Sequence, residues 1–462
     1  MNPRIYKYIL FICCLALLPA CSTTDKVPEG DQLYVGLTKI KYTNYENNSH
    51  FNYTRDELDA ALACAPNGAL FGSSYYSTPF PYGLWIWNAF SQSRGAFSKW
   101  IVKSFGKAPV LMSWVNPALR ASVAQSVLKS HGYFNGTVSY NTITMSNPKK
   151  AKIAYDIDMG HLYTIDSVAY ERFPKDADSL LKQTLPDAVI HKGDAFDVTT
   201  LDAERTRVSS LFRNNGYYYY QPSYASYLAD TLTVPGKVLM KFQLADQIPD
   251  KANRKWFIGK VDLQLRKQIM EQLNDSLKHR NFTVHFTGRH SPIRPRVIMR
   301  DLKLRPGNLY SYDNYLESSN RISGNGLFSI VDFQFTPRDT SATCDTLDLA
   351  LNCVFDKPYD FYVETNYTGR TSGRMGPGMV VGFTKRNAFR GGEKFNMNIK
   401  GSYEWQSGHT ASGNSDRINS YEYGGDASLE FPRLIMPFMQ RRRFFTTPST
   451  VLKASKIGRA HV

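Results

Sequence analysis

Cysteine is scarce, with 6 in 462 residues, and what there is does not form a disulfide framework. Cys13 and Cys14 lie in an N-terminal apolar run, Cys21 follows it, and Cys64, Cys344 and Cys353 are left, an odd remainder. If Thr346 to Phe355 is one extended strand, Cys344 and Cys353 stand roughly 30 Å apart at about 3.3 Å per residue, beyond disulfide reach. Stability must come from packed cores, and 42% hydrophobic content over this length suffices for several. The marks of common catalytic sites are also missing: there is no Ser-centred Gly-x-Ser-x-Gly elbow and no lysine-bearing phosphate loop. Gly373 to Gly378 is glycine-rich, but Pro377 removes a backbone donor and no helix follows, so it reads as a flexible loop. His279, His285 and His290 lie within a dozen residues, but no two of them stand at the i and i+4 spacing a helical metal site would want. The sequence therefore predicts no enzyme, no metal site and no cofactor.

A formal charge of +16 would ordinarily suggest nucleic acid. The N-terminus argues otherwise. Arg4 and Lys7 precede an apolar run, Ile9 to Leu18, too short to span a bilayer but right for a signal peptide. It ends in Leu18-Pro19-Ala20-Cys21, which resembles a lipobox, so residues 1–20 are expected to be removed and Cys21 lipidated. Residues 21–32 then form a solvated tether. An exported, lipid-anchored protein has no nucleic-acid partner. Arg441-Arg442-Arg443, beside Phe444-Phe445, reads equally as a headgroup contact or a solvated turn.

Beyond the tether the chain carries an internal repeat. Three helical stretches end at a glycine and pass into aromatic or apolar residues expected to begin a strand: His131-Gly132-Tyr133-Phe134, Asn215-Gly216-Tyr217-Tyr218 and Asn325-Gly326-Leu327-Phe328. Four residues before each glycine stands an apolar side chain (Leu128, Phe212, Ile322), expected to face the core. The glycine supplies the left-handed position that ends a helix, and the large residue after it packs back on the last turn. The spacing of the copies suits small domains rather than a solenoid. Each copy sits in a strand-helix-helix-strand-strand unit, placed at 33–160, 161–250 and 251–357. Lys192-Gly193-Asp194-Ala195-Phe196 and Pro306-Gly307-Asn308-Leu309-Tyr310 read as the same turn between paired helices. The first unit also carries an aromatic insert, Phe71 to Phe105, read as extra core in preference to a membrane-interface surface. Each three-stranded sheet leaves an edge that can accept another chain's strand.

After Tyr359 the period changes to two. From Lys394 to Gln406, polar residues alternate strictly with Phe395, Met397, Ile399, Gly401, Tyr403 and Trp405, over more residues than an ordinary globular strand has. Weaker alternation runs through Phe361, through Met379 and through Ala427, with a further strand expected at Thr447 to Ala454. Such strands point to a membrane β-barrel spanning 358–456, in preference to a soluble sandwich.

Lipobox, tandem β-α-α-β-β modules, and Asn387-Ala388-Phe389-Arg390-Gly391-Gly392-Glu393 entering an alternating strand together resemble the BamA/TamA outer-membrane insertase superfamily, with modules like its POTRA domains. The lipobox is most similar to its lipoprotein branch, TamL. The resemblance implies an α+β protein of POTRA-like modules followed by the first strands of a transmembrane β-barrel. It implies location in the outer membrane with the modules in the periplasm, and a function in outer-membrane protein assembly. It further implies unfolded outer-membrane clients, outer-membrane lipid and a TamB-like periplasmic protein as partners. The Asn387 to Glu393 turn would be a periplasmic hairpin, and the loops at Thr371 to Gly378 and Ser407 to Asp416 would face outside. A secretion pore of the same superfamily and a lipid-anchored scaffold without a barrel are the alternatives. Four or five strands are too few to close a barrel, for which about eight is the minimum. With Ile457 to Val462 resembling a translated synthetic oligonucleotide, the expectation is a C-terminally truncated fragment with a non-native tail at 457–462.

Overall fold

The computed structural model describes residues 23–341, 343–369, 374–406, 420–435 and 448–461. Cys21, the loop at 407–416 and Arg441 to Arg443 lie outside them. The described residues fall into two compact units, one within Met1–Arg207 and Pro222–Asp246, the other within Val208–Gln221 and Gln247–Val462.

The first unit holds two sheets. In one, β4 (Lys150–Asp158) pairs in parallel with β1 (Leu33–Leu37) and β2 (Lys41–Thr43), and antiparallel with β3 (Thr137–Thr144). The chain from Leu33 to Thr43 is thus two strands, split after Gly36 takes φ +121° where a side chain would strike the Ser74 carbonyl. Helices α1 (Ser49–Leu62) and α5 (Pro117–Ser130) cover the sheet, with Leu58, Leu62, Ala124 and Leu128 buried against Ile153, Tyr155 and Ile157. Asn48 and Asn116 cap these helices, each accepting a first-turn amide. Between them lie α2 (Tyr82–Phe90), α3 (Ala96–Phe105) and the short α4 (Met112–Val115). The second sheet has the order β5-β7-β6, from Thr164–Glu171, Lys237–Leu244 and Ala225–Asp230, with α6 (Lys175–Gln183) and α7 (Val198–Asn214), whose residues from Val208 on belong to the second unit. Its core gathers Ile165, Ile190, Phe196, Leu201, Val238 and Met240.

The second unit also holds two sheets. One has five strands in the order β11-β12-β8-β10-β9: Phe328–Pro337, Thr346–Phe355, Phe257–Arg266, Phe282–Phe286 and Asp275–His279. Helices α8 (Pro295–Asp301) and α9 (Tyr312–Gly324) belong to it, and Ile298, Leu302 and Ile322 pack with Leu263 and Leu351. The β9–β10 hairpin, which contains His279 and His285, is absent from the sequence reading; it covers the edge of β8 that a three-stranded module would leave open. The other is an antiparallel meander, β13 (Tyr359–Gly369), β14 (Arg374–Lys385), β15 (Lys394–Gln406), β16 (Ser420–Phe431) and β17 (Thr450–His461).

The repeated glycines have the conformation their positions require. Gly132, Gly216 and Gly326 take φ of +82°, +97° and +62°, and Leu128, Phe212 and Ile322 are buried. The Tyr133 and Tyr217 amides donate to the Leu128 and Phe212 carbonyls at 2.9 and 3.1 Å, closing the last turn. In the first two copies a turn intervenes before the strand, so β3 and β6 begin at Thr137 and Ala225 rather than at the aromatic residues.

The paired turns also coincide, bond for bond. In one, Ile165 N–H donates to Asp194, Gly193 to Ile165 and Phe196 to Tyr163 at 2.8, 2.7 and 3.0 Å. In the other, Ile258 donates to Asn308, Gly307 to Ile258 and Tyr310 to Trp256 at 2.8, 2.7 and 2.9 Å. The first sheet repeats two of the three, from Tyr34 to Val110 and from Met112 to Gln32. The third position is Pro109, which has no N–H to donate.

Candidate functional site

The meander separates its two faces. Cross-strand partners share a face, so Phe361, Val363 and Tyr367 of β13 lie with Phe383, Val381 and Met379 of β14, Met397 and Ile399 of β15, Leu429 and Tyr423 of β16, and Leu452 of β17. Most of these are exposed, which makes an apolar sheet face far larger than single scattered side chains. The opposite face is a hydrogen-bonded ladder. Thr384 donates to Asn396, and Asn396 to Ser428, at 2.9 and 3.3 Å. Tyr362 lies across Gly382 and donates to Asn398 at 3.0 Å, and Asn398 donates to Asp426 at 3.1 Å. Glu422 accepts from Lys400 and Arg459 at 3.3 and 2.8 Å. A sheet apolar on one face and wet on the other has the side-chain chemistry of a barrel wall.

Strand β13 pairs with β14 along its whole length, and among the described residues no strand pairs with its other side. Among the described residues that side is a row of backbone groups with no strand partner. The segment Arg374 to Gly378, expected as a loop, instead belongs to β14 and pairs with β13. The β14–β15 ladder skips Gly376 and Pro377, where the proline cannot donate and a side chain on Gly376 would strike the Tyr403 carbonyl. At the other end of the meander, β17 runs unbroken through Lys456, so the tail set apart at Ile457 is paired with β16. Backbone pairing accepts almost any residue except proline, and so does not report the origin of that tail.

The turn between β14 and β15 is fastened to the five-stranded sheet. Asn387 and Arg390 take left-handed φ of +55° and +62°. Asn387 donates from Nδ2 to the Pro292 carbonyl at 2.9 Å and accepts at Oδ1 from the Gly392 amide at 3.1 Å. Arg390 donates from Nη2 to the Ser291 carbonyl at 2.6 Å, and its own carbonyl accepts from the Arg294 amide at 2.8 Å. The buried Glu393 carboxylate accepts from the Gly391 amide at 2.8 Å, in space that a side chain on Gly391 would occupy. Gly392, at φ +83°, lies against Leu327 and Val297. Arg386 completes the joint with carboxylates of Asp360 and Asp356 at 2.6 and 3.6 Å and the Lys357 carbonyl at 2.8 Å. Each polar residue of the turn thus has a structural task, and Phe389 is left exposed.

A second joint lies in the first unit. The Gly132 carbonyl accepts from the Tyr163 amide at 3.0 Å, and a side chain on Gly132 would strike the Phe196 carbonyl. Beside it, the buried His131 ring sits between two acids, Nδ1 at 2.9 Å from Asp197 and Nε2 at 2.8 Å from Glu57. Both contacts are hydrogen bonds only when both nitrogens carry protons. Burial pushes the Asp197 carboxyl up, but hydrogen bonds from Thr199 and His131 more than offset this and hold it below the usual range. The Tyr53 hydroxyl and His131 hold Glu57 below it as well. His50, His131 and Asp197 also stand close enough together to hold a cation. Their ligand atoms are already engaged: His50 Nε2 faces the His131 carbonyl at 2.9 Å, and both His131 nitrogens face carboxylates. The cluster is a joint in which His131 bridges two carboxylates. The sequence reading missed it, although Asp197 just before α7 was visible as a helix-capping residue.

The aromatic insert corrects the sequence reading. Leu84 and Trp85 are buried, but Phe71, Tyr76, Phe80, Tyr82, Phe97, Trp100 and Phe105 are exposed. It is therefore mostly surface, with Ser74, Pro81 and the α2 residues Leu84, Trp85 and Asn88 buried and no residue of α3 buried.

No protein-family model matches the chain, and no curated protein matches it. Solved structures do. BamA from Haemophilus ducreyi lacking POTRA domains 1–3 aligns at 14% identity and TM-score 0.34, over 58% of this chain and 48% of that one. POTRA3–5 of Haemophilus influenzae BamA aligns at 12% and 0.33, over 71% and 99%. CdiB from Acinetobacter baumannii aligns at 10% and 0.25, over 65% and 55%. The chain thus spans about half the length of the BamA chain. Its own strand order and faces give the fold: α+β, tandem modules of helices on small sheets followed by an antiparallel meander apolar on one face and polar on the other. Among the described residues, no helix is long and apolar enough to cross a membrane, which says nothing about strands.

Proposed function

We propose that this chain is part of an outer-membrane protein assembly factor of the TamA/TamL kind, anchored through a lipidated Cys21 with its POTRA-like modules in the periplasm. The observation that carries the reading is the β13 edge on a sheet with one apolar and one polar face. In hydrocarbon each unpaired backbone group costs several kcal/mol, so an open edge favours pairing with an incoming strand. A client strand would add to β13 by main-chain hydrogen bonds, which need no particular sequence. Unfolded outer-membrane proteins are the clients, the docked β14–β15 turn links barrel and modules, and a TamB-like protein is the periplasmic partner.

The polar ladder from Thr384 to Arg459 supports a second reading, a secretion pore, because a transported polypeptide would need a wet wall. Depletion of the native protein separates the two. Assembly predicts that several unrelated barrel proteins accumulate unfolded; secretion predicts loss of one exported passenger with barrels intact. If depletion leaves both unchanged, the lipid-anchored scaffold becomes the better account.

A further inference from the structure

Between Asp59 and Asp156 the sequence contains no Asp or Glu but nine Lys or Arg. The insert helices α2 and α3 lie in that stretch. Helix α3 buries none of its ten residues, although Phe97, Trp100, Ile101 and Phe105 recur at i, i+3, i+4 and i+8, the spacing of one helical face. Phe97, Trp100 and Phe105 are 70%, 56% and 59% exposed. Their rings contact one another, Phe97 stacked on Trp100 at 6.1 Å and Phe105 edge-on to Trp100 at 6.0 Å. Phe80 and Tyr82 add exposed rings from the start of α2. Arg94, Lys99, Lys103 and Lys107 lie in or next to this helix and are exposed. No ion pair is formed by any of the four among the described residues.

We propose that this face docks on a lipid bilayer surface bearing anionic phospholipid headgroups, with α3 lying in the plane of the interface. The inference deepens the reading above by assigning the first unit a membrane contact of its own, separate from the strands. Three observations favour lipid over a protein partner. Tryptophan, tyrosine and phenylalanine beside lysines is the composition of an interfacial helix, in which rings enter the acyl boundary and lysines reach the phosphates. The absence of acids across the stretch removes repulsion from an anionic surface. Ten residues at about 1.5 Å each give a helix of about 15 Å, half a hydrocarbon core, so α3 can lie on the membrane but not cross it.

The test uses the full chain reconstituted in vesicles of phosphatidylcholine and phosphatidylglycerol with brominated acyl chains, which quench tryptophan on contact. Subtracting the emission of Trp100→Phe from that of wild type isolates Trp100. The expected result is at least twofold quenching of this difference signal, lost in the Lys99→Glu/Lys103→Glu variant and in phosphatidylcholine alone. An unquenched Trp100 signal overturns the proposal, as does quenching indifferent to lipid charge. So does a Trp100 emission that shifts with protein concentration without lipid, which would mean self-association. Trp405 in β15 reports separately: Trp100 quenched with Trp405 unquenched would uphold this proposal and defeat the membrane-strand reading.

Discussion

Asn387 donates a hydrogen bond to the Pro292 carbonyl at 2.9 Å, joining a hairpin turn of the meander to a residue 95 positions earlier. With the Arg390 to Ser291 bond it makes the β14–β15 turn a fitted part rather than a free loop. Replacing Arg390 by Ala removes a hydrogen bond from a charged donor, for which about 1.5–3 kcal/mol is typical. Gly392→Val should cost at least as much, since φ +83° is strained for a β-branched residue and Leu327 stands 3.1 Å from where Cβ would go. The shift in denaturation midpoint measures both, and a wild-type midpoint for Gly392→Val would contradict this joint.

Gly216 makes a parallel case in the helix-ending repeat. At φ +97°, with Leu309 Cδ1 2.6 Å from where Cβ would go, Gly216→Val should lose stability on the order of 1–3 kcal/mol. Calorimetric melting of the variant checks it. An unchanged melt would mean that α7 does not end in the left-handed turn.

The His131 joint predicts acid sensitivity. Asp197 and Glu57 have lowered values in the folded protein, so their contribution is present above the ordinary carboxylate range, near pH 4, and is lost as pH falls through the lower folded values. Wild type should therefore lose melting temperature below about pH 4. His131→Ala should start less stable at pH 7 and lose less on acidification, because part of that stabilisation is already gone. Parallel acid profiles for the two proteins would remove His131 from the account.

Cys353 is buried in β12, and burial pushes its thiol up to about 12. It should resist maleimide in the native protein and react on unfolding, whereas half-buried Cys64 should react earlier. Peptide mapping after timed labelling checks the order; early modification of Cys353 would show that the core around β12 is open.

Legibility followed the range of the signal. The bounds of β15 were readable because strict alternation is local. The start of β14 was not, because Gly376, Pro377 and Gly378 read as a loop until the pairing with β13 supplies the backbone partners. The β9–β10 hairpin escaped because its strands have five residues each, too few for a clear period. The His131 joint spans separations of 66 and 74 residues, which no local pattern encodes. For the insert, aromatic content gave the composition but not the side: Trp85 and Trp100 look alike in sequence, and packing buries only the first.

The central claim is that β13 is the edge at which a client strand pairs. Its most direct test is a photoreactive residue placed in the native protein at Val363 or Glu364, and, as controls, at Val381 of β14 and Ile399 of β15, both of which are flanked on each side. Adducts with unfolded outer-membrane proteins from β13 alone are the predicted result. No adducts from β13, or equal adducts from β15, would contradict it.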